Sequence, residues 1–283
     1  MSGSPDGFYL PSLAAVSDEF LATGHVWVHE YVDGTPFGLR LGADGRLLFA
    51  FTDPSRGQAS RQWVHAERVQ PEYGFAVRYI HQHFDRSAFQ AALADPESVT
   101  IWCLAVHRRH RGYDWDLAPS VVGVDIEYPS STFLPHELEQ VFEALGLATL
   151  PTIDTEVHVR DIGVDGKETP ETQWGEGTAY GVLYRKKGGG IAREIASEYT
   201  GEPPHIAPIE SSVDEYAATV AADSVLTSIV EEGGSSLSVS MVTDAVLDQA
   251  LRDDFGRLTH NGTSFDIGEL RSTLAQRVAM VLK

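Results

Sequence analysis

The feature that most constrains the fold is a change of texture near Tyr199: before it, short apolar runs alternate with turn signals, and after it apolar residues recur at helical spacing. Strands are predicted over 25–32, 37–42, 46–52, 99–106, 120–127, 155–160, 179–185 and 191–195, with Ala43-Asp44-Gly45 turning the second into the third. Helices are predicted over 71–83, 86–94 and 136–146, with Asp85 placed to cap the second. Strands and helices interleave without a regular strand-helix-strand repeat. That pattern gives an α+β class in which antiparallel pairing dominates.

Thr200-Gly201-Glu202-Pro203-Pro204-His205 has the composition of a linker. Beyond it, Ser212-Val213-Asp214-Glu215 is a capping box that opens a helix carrying Tyr216, Val220, Val225 and Ile229 and stopping at Gly233-Gly234. Two more helices follow, over about 238–253 and 266–282, the last with Leu270, Leu274, Val278 and Leu282 on one stripe. The expected organisation is a domain over 1–204 and a small all-helical domain over 205–283. Asn261-Gly262-Thr263 reads as a turn rather than a glycosylation acceptor.

The net charge is −20, and the only lysines are Lys167, Lys186, Lys187 and Lys283, so nearly all the basic residues are arginine. Excess carboxylate with depleted lysine resembles the composition of proteins from salt-loving archaea, in which acidic surfaces maintain solubility. Screening over roughly 3 Å at 1 M salt would blunt repulsion of a polyanion there, so overall acidity excludes no nucleic-acid partner. No apolar run reaches the roughly 18 residues of a membrane span, and Met1-Ser2-Gly3-Ser4-Pro5-Asp6 lacks the basic and apolar regions of a signal peptide. The single cysteine, Cys103, lies in an apolar stretch and reads as a small buried hydrophobe. A cytoplasmic protein without disulfides or membrane contact is expected.

Several ordered blocks carry a more specific signal. They are Glu30-Tyr31-Val32-Asp33-Gly34, Ile101 to Arg108, Tyr113-Asp114-Trp115-Asp116, Pro119 to Asp125, and Ala179 to Arg185 with Ile191-Ala192-Arg193-Glu194. In order, spacing and flanks these blocks resemble the ATP-dependent RNA ligase family, especially its archaeal members, over about the first 200 residues. The resemblance implies a ligase-type nucleotidyltransferase domain of mainly antiparallel sheets with flanking helices. Residues implied at the nucleotide site are Tyr31, Asp33, Gly34, Asp125, Tyr180 and Arg193.

The same resemblance exposes several departures. In the family, a lysine two residues before the motif's aspartate attacks the α-phosphate of ATP; here that place holds Tyr31, a phenol with an unperturbed pKa near ~10. Leu104 stands where an acidic residue is usual, Val124 where an aromatic packs on the base, and Tyr180 where a glutamate helps to organise metal. Arg193 takes the place of a phosphate-contacting lysine; its planar fork wants bidentate geometry. Glu176, in Gly175-Glu176-Gly177, is an alternative register for the missing glutamate, but it lies too far from Val182-Leu183-Tyr184-Arg185 and reads as loop. Lys186 and Lys187 precede Gly188-Gly189-Gly190 at a hairpin tip, which points them away from a cleft floor. Catalytic groups act as a unit, so loss of the nucleophile alone removes most turnover.

Arg108, Arg109 and Arg111, flanked by His107 and His110, form the one dense basic cluster of the sequence. It reads equally as a nucleic-acid contact and as an ion-pair network neutralised by Asp114 and Asp116. His81-x-His83 and His107-x-x-His110 lack a third ligand at zinc spacing, so no metal site is expected. The scattered tryptophans fit core packing. Three functional readings stay open. The first is a catalytically impaired RNA-ligase-like protein that binds RNA or an active ligase relative. In the second the chain is an ATP-dependent RNA ligase or AMP transferase using Tyr31, with Glu30 or His29 as base, or an unrecognised residue, and with ATP and Mg2+ as cofactors. The third is an interaction scaffold without a nucleotide site.

Overall fold

The computed structural model describes residues 10–51, 62–92, 96–128, 133–162, 168–187, 189–200, 209–222, 225–226, 229, 237–259 and 266–282. These fall into two compact units. The first comprises Met1–Val69, Ala76–Val106 and Tyr113–Glu202, and the second Gln70–Phe75, His107–Gly112 and Pro203–Lys283.

The first unit contains two sheets. One has four strands: β1 (His25–Tyr31), β8 (Thr152–His158), β9 (Gly181–Lys186) and β10 (Ile191–Ile195), in the order β10-β9-β1-β8. The other has six: β2 (Gly34–Leu41), β3 (Leu47–Phe51), β4 (Val64–His65), β5 (Thr100–Val106), β6 (Val121–Glu127) and β7 (Ala148–Thr149), ordered β4-β3-β2-β5-β6-β7. Among the described residues these strands pair antiparallel except β6 with β7. The predicted β2–β3 hairpin forms, with Gly45 at φ 72° closing its turn and Gly42 N donating to Arg46 O. A left-handed φ is what a glycine tolerates there at little cost.

Side chains alternate across β1, and each face buries a different set. Tyr31 shares one face with Leu183 of β9, and both pack against Leu104, Val122 and Val124 of the other sheet. On the opposite face Val26, Val28, Val182 and Tyr184 form a second cluster with Leu13 and Phe20 of α1 (Leu13–Phe20). Around the sheets lie α2 (Gly74–His83), α3 (Arg86–Ala92) and α4 (Pro135–Ala144). Asp85 caps α3 as expected, its Oδ1 accepting from Ser87 N and Ala88 N. Residues 93–94 of that predicted helix lie outside the described residues.

Three local expectations need correction. The predicted 155–160 strand runs from Thr152 to His158, because pairing with β1 begins at Thr152 opposite His29 and Val159–Asp161 tightens into a 3-10 turn. Helix α1 and the two-residue strands β4 and β7 carry too short a pattern to be seen from periodicity. The helix opened by Ser212 is interrupted after α5 (Val213–Val220), where Ala221 leaves helical geometry at φ −106°, ψ 46°, and residues 225, 226 and 229 are again helical. The apolar step from Val220 to Val225 is one residue too long for a 3.6 period, so the stripe rotates off its face.

In the second unit, α5 is followed by α6 (Val239–Asp253), α7 (Phe255–Leu258) and α8 (Ile267–Val281). The capping box holds: Ser212 Oγ accepts from Glu215 N, and Glu215 Oε2 accepts from Ser212 N. Ser238 caps α6 and Asp266 caps α8, while Leu270, Leu274 and Val278 are buried along α8. Leu282, expected on that stripe, falls just past the helix and is half-buried. The Gly233-Gly234 stop, the Asn261-Gly262-Thr263 turn and most of the 200–205 linker lie outside the described residues. Among the described residues no helix is long and apolar enough to cross a membrane.

Candidate functional site

Tyr31 ends β1, and the chain turns through Val32 and Asp33 into β2 at Gly34. Asp33 is buried, and its backbone N–H donates to the Tyr113 hydroxyl at 2.7 Å. A side chain at Gly34 would put its Cβ 2.5 Å from the Ala105 carbonyl oxygen of β5. Close approach of two backbones therefore demands glycine at that position.

Register brings together residues far apart in sequence. Tyr31 lies opposite Gly181 on β9, and Gly181 lies opposite Ile195 on β10. A Cβ at Gly181 would lie 2.2 Å from the Glu194 carbonyl oxygen of β10, and Arg193 reaches over β9 to donate from Nη1 to the Tyr31 hydroxyl at 2.7 Å. Its guanidinium carbon sits 5.3 Å from the Tyr31 ring centroid. The Tyr180 ring lies 5.8 Å from that of Tyr31, and Tyr199 continues the row 5.5 Å beyond. Leu104 completes the packing. Tyr31, Leu104, Tyr180 and Arg193 thus converge, and they do so in a packed aromatic core.

Electrostatics at Tyr31 oppose ionisation. Burial raises the phenol pKa, only partly offset by Arg193, while Asp33 raises it further. The two sequence-predicted bases point elsewhere. Glu30 faces the other side of β1, where its carboxylate accepts from Thr172 Oγ1 and from Gln173 N, the latter at 2.9 Å. His29 shares the Tyr31 face, but its Nδ1 contacts Thr152 Oγ1 at 3.2 Å. The Thr152 hydroxyl donates in turn to Glu139 at 2.6 Å, which leaves its oxygen to accept from the imidazole.

Asp125 belongs to this second polar group. Its Oδ1 accepts from Arg185 Nη1 at 2.9 Å, and Arg185 Nη2 also donates to the Val124 carbonyl. A cavity of about 20 Å3 lies beside it, lined by His29, Val124, Leu138, Glu139, Leu183 and Arg185. That volume accommodates a water. His29 Nε2 is buried there without a hydrogen-bond partner among the described residues. Burial first, then the Arg185 charge, pulls the His29 pKa down to about 3, so the ring is neutral at physiological pH.

The basic cluster falls in the second unit. Arg108 N donates to Arg252 O at 2.7 Å, and the His107 ring stacks on Phe255 with centroids 3.6 Å apart. Arg108 and Arg109 are exposed and Arg111 is buried. Lys187 pairs with Glu156 at an exposed turn, and Lys186 lies over Phe20.

Sequence reasoning gave no role to Arg185, Glu139, Thr152 or Tyr113. Alternation along β9, which puts residues 181, 183 and 185 on one face, was the available signal for Arg185. Nothing local marks Glu139 or Thr152, and the block that contains Tyr113 does not reveal its bond to Asp33.

Two largely antiparallel sheets packed face to face beside a Tyr-x-Asp-Gly turn, with a C-terminal helical segment, define an α+β, RNA-ligase-like nucleotidyltransferase fold. Solved structures of RNA ligases share it: a Naegleria gruberi RNA ligase with PPi superposes at TM-score 0.50 and 11% identity over 70% of this chain and 58% of its own. A lysine-to-methionine mutant of that ligase with AMP and Mn gives the same values. An archaeal ATP-dependent RNA ligase matches 100% of this chain and 64% of its own at 12% identity and TM-score 0.44. The chain spans less than two thirds of the length of each of these ligases. No family model and no curated protein matches the sequence.

Proposed function

We propose that this chain uses an RNA-ligase fold for binding rather than for adenylyl transfer, with Tyr31 as a packing residue in place of the nucleophile. One observation carries the reading: the Tyr31 phenol is buried among Leu104 and Tyr180 and engaged by Arg193, with its pKa raised. A nucleophile needs the opposite arrangement, a lowered pKa or an adjacent base. The binding partner in this reading is RNA, or an active ligase relative. Arg108 and Arg109, the exposed members of the basic cluster, supply the phosphate contact.

Incubation with labelled ATP and Mg2+ or Mn2+, followed by mass measurement under denaturing conditions, tests the first half. No adduct is expected. A covalent AMP on Tyr31 overturns the proposal and favours an active AMP transferase with ATP and metal as cofactors. Filter binding of RNA across a salt series tests the second half. Replacing Arg108 and Arg109 by alanine should reduce the slope of log affinity against log salt by up to about two. Unchanged binding assigns the cluster to structure, as in a scaffold without a nucleotide site.

A further inference from the structure

Two loops of the first unit, 113–118 and 170–179, meet in one surface. The first, 113–118, is a tight turn in which Leu117 N and Ala118 N both donate to Asp114 O, at 3.1 and 2.8 Å, and Asp116 N donates to Asp114 Oδ1. The second, 170–179, is tied down at both levels: Thr172 N donates to Gly177 O, Ala179 N to Pro170 O, and the Glu30 carboxylate holds Thr172 and Gln173. Asp114 N donates to Trp174 O at 2.9 Å, which joins the two loops. The Tyr113 ring is wedged between two indoles, Trp115 at 5.8 Å and Trp174 at 6.3 Å, both edge-on.

The pair of loops therefore presents a fixed aromatic shelf. Trp115 and Trp174 are only partly buried, and Leu117 is 59% exposed. Exposed apolar side chains on loops held by this many backbone bonds mark interaction sites, because a pre-organised surface loses little entropy on binding. The charge on the shelf has one sign. Asp114, Asp116 and Glu176 are exposed, and neither loop contains a lysine or arginine. Guanidinium and ammonium groups would be attracted by the carboxylates and by the indole faces, with their aliphatic stems laid on Leu117.

We propose that the Trp115–Leu117–Trp174 shelf docks an arginine- or lysine-rich segment of a partner protein. The proposal is independent of whether Tyr31 is inert, since no residue of the shelf belongs to the Tyr31 site. Fluorescein-labelled nona-arginine titrated against the full chain is the probe. The acidic chain attracts any polycation, so a charge-neutral variant decides: Leu117→Ser should weaken binding at least fivefold. Asp116→Asn should do the same, while Glu19→Gln, an equal charge change on α1, should change affinity less than twofold. Unaltered affinity in Leu117→Ser, or an equal loss in Glu19→Gln, overturns the proposal. Binding of poly(U), or self-association of the chain, that Leu117→Ser abolishes would also overturn it, by assigning the shelf to RNA or to a second copy.

Discussion

Acidification should destabilise the first unit through one buried ring, His29. In the folded chain its Nδ1–H is committed to Thr152, its Nε2 is buried at the cavity, and Arg185 faces it, paired with Asp125, while Glu139 lies one hydroxyl away. Its folded pKa is about 3, against 6.5 in an exposed chain. The unfolded state therefore takes up the proton first, so the contribution is fully present above pH 6.5 and is lost as pH falls toward 3. Integrating the linkage between about pH 8 and pH 5 gives a loss of about 2 kcal/mol from this group alone. Other groups titrate in the same range, so the measurement is a difference of differences. Urea unfolding followed by circular dichroism at about pH 8, 6.5 and 5 is compared for the wild type and His29→Gln, which stays neutral and can still donate to Thr152. The wild type should lose about 2 kcal/mol more than the variant between the end points. Identical pH dependence in the two proteins would refute a buried neutral His29.

Further outcomes follow from the same contacts. Tyr31→Phe removes the acceptor of Arg193 and should cost about 1.5 kcal/mol in urea unfolding, the low end for a charged donor because Arg193 is only half-buried. Tyr31→Lys buries a second cation beside that guanidinium and should cost more, read as a lower urea midpoint than for Tyr31→Phe. Gly34→Ala drives a Cβ onto the Ala105 carbonyl, and a loss of about 1–3 kcal/mol is expected from the backbone shift it forces. Asp266→Ala removes the acceptor for Gly268 N and Glu269 N; about 1 kcal/mol should be lost, with amide exchange rising first in the opening turn of α8.

By itself the sequence determined what is local. Short apolar runs bounded by turn signals located most of the long strands, Gly45 marked the hairpin, and Asp85 and Ser212 marked helix starts, because each signal lies within a few residues of the structure it specifies. The ordered blocks pointed to the ligase-like fold for the same reason. Tertiary structure alone decided who meets whom. Arg193 touches Tyr31 across β9, Tyr113 hydrogen-bonds Asp33 from 80 residues away, and His107–Gly112 clusters with the helices beyond residue 203. The His29–Thr152–Glu139 chain likewise joins β1 to β8 and to α4. Such pairings depend on register and sheet order, and a strand's own residues encode which face is apolar without encoding which distant side chain will be laid against it.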